Sequence, residues 1–140
     1  MNTPIEETLV LVKPDGVARN LTGEILRRIE AKGYSLVDMK LVEPDRSVLA
    51  AHYAEHEGKP FYEPLVEFME SGPIVAFRVA GNRVIEGFRA LAGTTDPTTA
   101  APGTIRGDLG RDWGVKVQQN LVHGSDSPES AARELALWFD

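Results

Sequence analysis

The stretch Thr8-Leu9-Val10-Leu11-Val12 constrains this chain more than any other. It is apolar apart from its first hydroxyl, rich in β-branched residues and too short for a helix of ordinary length. Such a run reads as a strand buried on both faces. It stops at Lys13-Pro14, so a lysine leaves the centre of a sheet, placed to face a ligand. Pro14 removes a backbone donor and Gly16 permits a tight bend, so Lys13-Pro14-Asp15-Gly16 is expected to be a turn that holds the ammonium in place.

The rest of the chain supplies partners for that strand. Residues 22–32 put Ile25, Leu26 and Ile29 at helical spacing and stop at Gly33, whereas 34–42 partly alternates and reads as a strand. Two helical segments are expected within 45–70, one carrying Val48, Leu49 and His52, the other Phe61, Leu65, Phe68 and Met69. Residues 73–79 form a third expected strand, and 82–91, with Val84, Ile85, Phe88 and Leu91, a further helix. Residues 93–114 have no period, and so long a connection in a compact domain reads as a functional loop. Residues 115–122 are expected to be a fourth strand that ends at His123. Ser127 and Pro128 are the N-cap and first position of a last helix with Ala131, Leu135, Trp138 and Phe139 on one face. This order fits an α/β (α+β) fold, a ferredoxin-like sandwich whose four-stranded, mainly antiparallel sheet is covered on one face by helices. With 140 residues there is one domain, 1–140, and no room for a second of ordinary size.

Composition removes several classes of function. A net charge of −6 leaves no basic face for general binding to nucleic acid or a membrane surface, so cations that hold a phosphate must be gathered locally. With no cysteine there is no disulfide framework and no thiolate nucleophile. The N-terminal residues lack a basic region and a long apolar run, and the expected location is cytoplasmic. No P-loop is present, because Gly58-Lys59 is followed by Pro60, and no G-x-G-x-x-G follows the first strand.

Among the remaining patterns, His52-Tyr53-Ala54-Glu55-His56 matches the H-x-x-E-H of inverted zinc peptidases. The preferred reading is a plain helix face with His56 solvated beside Glu55, since those peptidases are far larger. Asp15, Asp108 and Asp126 can each be a magnesium ligand or a turn carboxylate, with the turn the safer choice. Arg106 stands between Gly103 and Gly107 in the long loop, where glycines let backbone approach a ligand. His123 sits where an apolar run meets small polar residues, and Glu134 borders the apolar stripe of the last helix, placed to hold an imidazole. Ser125 and Ser127 add hydroxyls to the same region. A histidine so held is a competent nucleophile toward phosphorus, with Lys13, Arg89 and Arg106 to clamp the transferred charge.

Taken together these motifs identify a resemblance. LVKPDGV at 11–17, HY at 52–53, KPFYEPLV at 59–66, SGP at 71–73, GTIRGD at 103–108 and NLVHGSDSPES at 120–130 closely resemble the nucleoside diphosphate kinases, over Thr8 to Phe139. The resemblance implies an enzyme, a phosphotransferase that works by a ping-pong route. A nucleoside triphosphate, typically ATP, gives its γ-phosphoryl to His123, and the phosphohistidine passes it to a nucleoside diphosphate. It further implies that Lys13, Tyr53, Arg89, Thr95, Arg106 and Asn120 contact phosphates, sugar or histidine. Phe61 would stack on the base with Val117 facing its other side, and Glu134 would hold the imidazole. Mg2+ would come with the nucleotide phosphates rather than in a protein metal site. The implied partners are nucleoside di- and triphosphates and copies of the chain itself, in a homo-oligomer, a tetramer or hexamer of dimers. A catalytically weak nucleotide-binding or sensing module of the same fold is the alternative. One departure stands out: about four extra residues, around Gly110-Arg111-Asp112-Trp113, precede the expected last strand. The chain also ends at Asp140, without the longer C-terminal extension of many eukaryotic members.

Overall fold

A computed structural model of the chain describes residues 4–139; residues 1–3 and 140, the ends of the expected domain, lie outside the described residues. The elements are β1 (Ile5–Val12), α1 (Pro14–Ala18), α2 (Thr22–Lys32), β2 (Ser35–Val42), α3 (Arg46–His52), α4 (Tyr62–Met69), β3 (Ile74–Asn82), α5 (Val84–Ala92), α6 (Ile105–Leu109), β4 (Val122–Gly124) and α7 (Pro128–Phe139). The sheet runs β2-β3-β1-β4, and every pairing in it is antiparallel. The apolar run of β1 is therefore interior to the sheet, flanked by β3 along its length and by β4 near its end.

Alternation along β1 explains why none of that run could be polar. Val10 and Val12 pack with Phe77 of β3, Ile25 and Ile29 of α2, and Phe88 of α5. Leu9 and Leu11 face the opposite way, against Leu49 of α3, Met69 of α4 and Trp138 of α7. Successive strand residues point to opposite faces, so a strand with helices above and below must be apolar at every position. Helices thus cover both faces of the sheet, not one as expected. The second layer comes from α3, α4 and α7, whose apolar stripes need burial as much as those of α2 and α5.

Several local expectations hold. Helix α2 spans Thr22–Lys32 and ends on Gly33 at φ 108°, the left-handed geometry glycine adopts without a Cβ clash. The Ser127 hydroxyl accepts from the Ser130 amide at 3.1 Å, capping α7, and Pro128 opens that helix. Two short helices replace expected irregular chain. The Lys13–Gly16 turn is the entry to α1, with Pro14 at its first position. Within 93–114, the Thr104 hydroxyl accepts from the Gly107 amide at 2.9 Å and starts α6.

The fourth strand differs most from expectation. Only Val122–Gly124 pair, opposite Val12, Leu11 and Val10, whereas 115–121 are irregular. The Lys13 amide still donates to the Leu121 carbonyl at 2.8 Å, but from Pro14 onward the chain turns into α1 and leaves the sheet. The ladder has nowhere to continue, so the alternating pattern of 115–121 finds no strand to pair with. The inserted Trp113 instead lies 5.5 Å from the Arg19 guanidinium at the end of α1 and 4.4 Å from that of Arg111. No helix of the described residues is long and apolar enough to cross a membrane.

Candidate active site

Pairing places the nucleophile candidate. His123 lies opposite Leu11 in the β1–β4 register, so its side chain takes the face that Leu11 shares with α3 and α7. On that face the His123 Nε2–H donates to the Glu134 carboxylate of α7 at 2.8 Å. The Ser125 hydroxyl donates to the same Oε1 at 2.7 Å and accepts from the Leu9 amide at 3.2 Å. Glu134 is 5% exposed; burial pushes its pKa up, yet the bond and charge of His123, with His52 and Ser125, outweigh that and hold the carboxyl below its ordinary value. With Nε2 occupied as a donor, the neutral ring keeps its free lone pair on Nδ1.

Around that nitrogen lies a cavity of about 870 Å³ lined by Lys13, Tyr53, Arg89, Thr95, Arg106, Asn120, His123 and Glu134 among others. Eight residues foreseen from sequence, each from a different element, junction or loop, therefore converge. The Lys13 ammonium donates to the Asn120 side-chain oxygen at 2.8 Å, and the Asn120 amide donates to the Thr95 carbonyl at 3.1 Å. Arg106 donates to three backbone carbonyls, Asn120 at 3.0 Å, Gly93 at 2.9 Å and Val122 at 2.6 Å, and so pins the approach to β4. Arg89 is exposed and makes no hydrogen bond or ion pair among the described residues, which leaves its guanidinium open to the cavity.

The cations strain one another. Burial and the Arg106 charge pull the Lys13 pKa down to about 8 against the opposing pull of Asp15. Burial and Arg89 likewise bring Arg106 to about 10. Burial also raises the Tyr53 phenol, which keeps it a hydrogen-bonding hydroxyl at neutral pH. A molecule with net charge −6 thus concentrates three cations in one cavity, an arrangement that a polyphosphate relieves.

Phe61 and Val117 stand outside the lining set. Phe61 is 49% exposed, with its ring 5.1 Å from that of His56, which does line the cavity. Val117 is half-buried in the irregular 115–121 segment.

The H-x-x-E-H pattern dissolves in the structure. Helix α3 ends at His52 and 54–56 form a separate 3-10 turn, so the two histidines no longer share a helix face. His52 is buried, and burial holds its pKa down to about 3. Its ring lies edge-on to that of His123 at 4.7 Å, a neighbour the sequence did not announce, although His52 shares the buried side of α3 with Leu49. His52, His123 and Glu134 bring potential ligand atoms within 4.8 Å of one another. Yet the Trp138 indole N–H donates to His52 Nδ1 at 3.0 Å, and an indole can only donate. The proton of His52 is therefore on Nε2, its Nδ1 lone pair is taken by Trp138, and the His123 Nε2–H is engaged by Glu134, so none of these three nitrogens offers a lone pair to an ion.

The family model for nucleoside diphosphate kinase matches residues 6–140. This chain belongs to the nucleoside diphosphate kinase family. It is 61% identical over 135 residues to a nucleoside diphosphate kinase of Streptomyces avermitilis, covering 96% of each chain. Against the nucleoside diphosphate kinase of Mycolicibacterium vanbaalenii the identity is 60%, again over 96% of both. Among solved structures, a halophilic nucleoside diphosphate kinase from Halobacterium salinarum in complex with CDP aligns with a TM-score of 0.91 and 47% identity. That alignment covers 98% of this chain and 89% of the other. A nucleoside diphosphate kinase family protein from Babesia bovis aligns with a TM-score of 0.89 and 47% identity, covering 96% of this chain and 88% of that one.

Because the Trp138 N–H fixes the tautomer of His52, Trp138→Phe should strand a buried nitrogen. The expected cost is about 1–3 kcal/mol in denaturant unfolding, with a mixture of His52 tautomers by nitrogen NMR. An unchanged midpoint with a single tautomer would remove Trp138 from this role.

Proposed function

We propose that this chain, a nucleoside diphosphate kinase, moves the γ-phosphoryl of a nucleoside triphosphate to a nucleoside diphosphate through a phosphohistidine at His123. The observation that carries the reading is the bond from His123 Nε2–H to the buried Glu134, which turns Nδ1 toward the cationic cavity. In the first half-reaction the Nδ1 lone pair forms a bond to the γ-phosphorus, the bond from phosphorus to the β,γ-bridging oxygen breaks, and the diphosphate leaves. In the second half-reaction a terminal β-oxygen of another diphosphate attacks the same phosphorus and the N–P bond breaks. Imidazolium character that develops on the ring is met by Glu134. Lys13, Arg89 and Arg106 offset the charge on the transferred group, and Tyr53, Thr95 and Asn120 orient it.

The nucleotides enter as magnesium complexes, so the metal belongs to the substrate. The donor set suits that division: Glu134 is engaged by His123 and Ser125, the half-buried side chains nearby are cations or neutral donors, and the other carboxylates of the lining, Glu55, Glu86 and Asp126, are exposed. The exposed Phe61 offers a stacking face to the base, and Val117 the opposite wall. Stacking tolerates any nucleobase, since each has a π-face. The CDP bound by the Halobacterium salinarum relative is consistent with a pyrimidine in such a place.

The unit of action is one domain spanning 1–140, working in the cytoplasm where nucleotide pools are, which cell fractionation checks. We assign it to a homo-oligomer, a tetramer or hexamer built of dimers. Strand β2 supports this: it is the sheet's free edge beyond β3, and it exposes Val37, Met39 and Leu41 at 51%, 47% and 68%. An apolar, unpaired edge invites a second strand. Light scattering should give four or six chains per particle, and a monomer across micromolar concentrations would refute the assignment.

With γ-labelled ATP and magnesium, label should reach the protein as an acid-labile, base-stable adduct that a nucleoside diphosphate removes. His123→Ala should abolish it, and EDTA should prevent it. Labelling of His123→Ala at the wild-type level would refute the mechanism. In the same assay Glu134→Ala should slow turnover about ten- to a hundred-fold, the loss seen when the carboxylate that orients a metal-ligating imidazole is removed.

The pH dependence follows from Lys13, whose pKa is lowered to about 8 and whose charged form binds phosphate. The ammonium is present below that value and lost above it. Accordingly kcat/KM, which reports the free enzyme, should fall about tenfold per pH unit above that limb. In kcat the limb should lie higher, because bound phosphates restore the proton. A limb that persists in Lys13→Arg would belong to another group.

A further inference from the structure

Asp15 was expected to stabilise its own turn, and it does not. Helix α1 has no side-chain cap, and the Asp15 carboxylate, 9% exposed, reaches across to the Leu121 amide, which donates to its Oδ2 at 3.1 Å. Its other oxygen is buried with no donor among the described residues. A turn carboxylate ordinarily bonds an amide two residues on and remains wet.

Leu121 is the residue that needs holding. It is fully buried with φ 72°, and the Val122 amide donates to the Asn120 carbonyl at 2.8 Å across it. That is a γ-turn of the positive-φ kind, the rare and strained form, here on a leucine. Strain of this sort persists only where the surroundings over-determine it. Both polar groups of Leu121 are held by one segment, the amide by Asp15 and the carbonyl by the Lys13 amide at 2.8 Å. On one side of the turn is Asn120, which accepts from Lys13; on the other, Val122 leads to His123.

We propose that Asp15 is a positioning residue of the phosphoryl-transfer site: its carboxylate clamps the strained Leu121 turn that aims Asn120 and His123, and opposes the repulsion between Lys13 and Arg106. The inference rests on the phosphohistidine reading above. The groups acting on Lys13 are Arg106 from α6, which drives its proton off, Asp15 from α1, which retains it, and the uncharged Asn120 from the turn. His52 of α3 also feels the Lys13 charge, and Arg89 of α5 acts on Arg106.

Asp15→Asn keeps an oxygen for the Leu121 amide and removes the charge. With less opposition to Arg106, Lys13 should lose its proton more easily and the alkaline limb of kcat/KM should move toward acid. A shift of about one pH unit would cost about fivefold in rate at the wild-type limb. In the Lys13→Arg background the same change should leave the profile unmoved, since guanidinium does not titrate there. Asp15→Ala, which loses the clamp as well, should lower kcat and the single-turnover rate of phosphohistidine formation more than it raises KM. Superimposable profiles for Asp15→Asn and wild type would overturn the inference. So would an equal rate loss at every pH with either residue at position 13, or failure of both variants to fold, since the carboxylate would then serve the fold alone. Failure of the wild type to label at His123 would instead overturn the mechanism and leave the clamp's contacts as a feature of the fold.

Discussion

Three residue pairs, Val12 with Val122, Leu11 with His123 and Val10 with Gly124, hold the active geometry together. The pairing is short, yet it decides which face of the sheet receives the imidazole. A slip of one residue would turn His123 to the side of Val10 and Phe88, away from Glu134 and His52. What prevents the slip lies at both ends. Toward the C-terminus, the Ser125 amide donates to the Leu9 carbonyl and the Leu9 amide to the Ser125 hydroxyl. Toward the N-terminus, the Lys13 amide closes the last rung on Leu121 before Pro14 ends it.

The cavity gathers charge that the fold holds in a conflicted state. Lys13, Arg89 and Arg106 repel one another, and two of them have lowered pKa values as a result of burial and proximity. Arg106 is tied to three carbonyls, so it can neither swing out to solvent nor be displaced without loosening the approach to β4. Donors fixed in advance need no reorganisation when charge arrives, which is the chief source of electrostatic rate enhancement. The histidine array works by the same logic. Trp138 donates to His52, His123 and Ser125 donate to Glu134, and the rings of His52 and His123 meet edge-on between these two pairings.

Much of this was legible in the chain where local rules suffice. Helix α2 ended on Gly33 and α7 began on Ser127-Pro128 as capping chemistry requires, because both signals act within one turn. The expectation for 115–122 failed for a non-local reason. Its alternation is real, but a strand needs a partner strand, and beyond Lys13 the chain of β1 turns into α1. The burial of both sheet faces was implicit in Thr8–Val12, where no alternation between polar and apolar residues is left. His52 was placed on a helix with Val48 and Leu49, but its contact with His123 was not foreseen, because periodicity gives the buried side of a helix and says nothing of what lies across from it.

By itself the sequence determined the residue types: a strand apolar on both faces, a lysine at its exit, an arginine among glycines, a histidine before a capped helix and a glutamate at the edge of that helix's stripe. These follow from local chemistry and from motif order, which also carried the family resemblance. Tertiary structure alone decided the partnerships, which Asp15 shows most plainly. Nothing near it in the chain indicates that its carboxylate bonds an amide in a strained turn at Leu121. That contact exists because β1 and β4 are neighbours in the sheet, and long-range pairing is set by the burial of the whole core rather than by any segment of it.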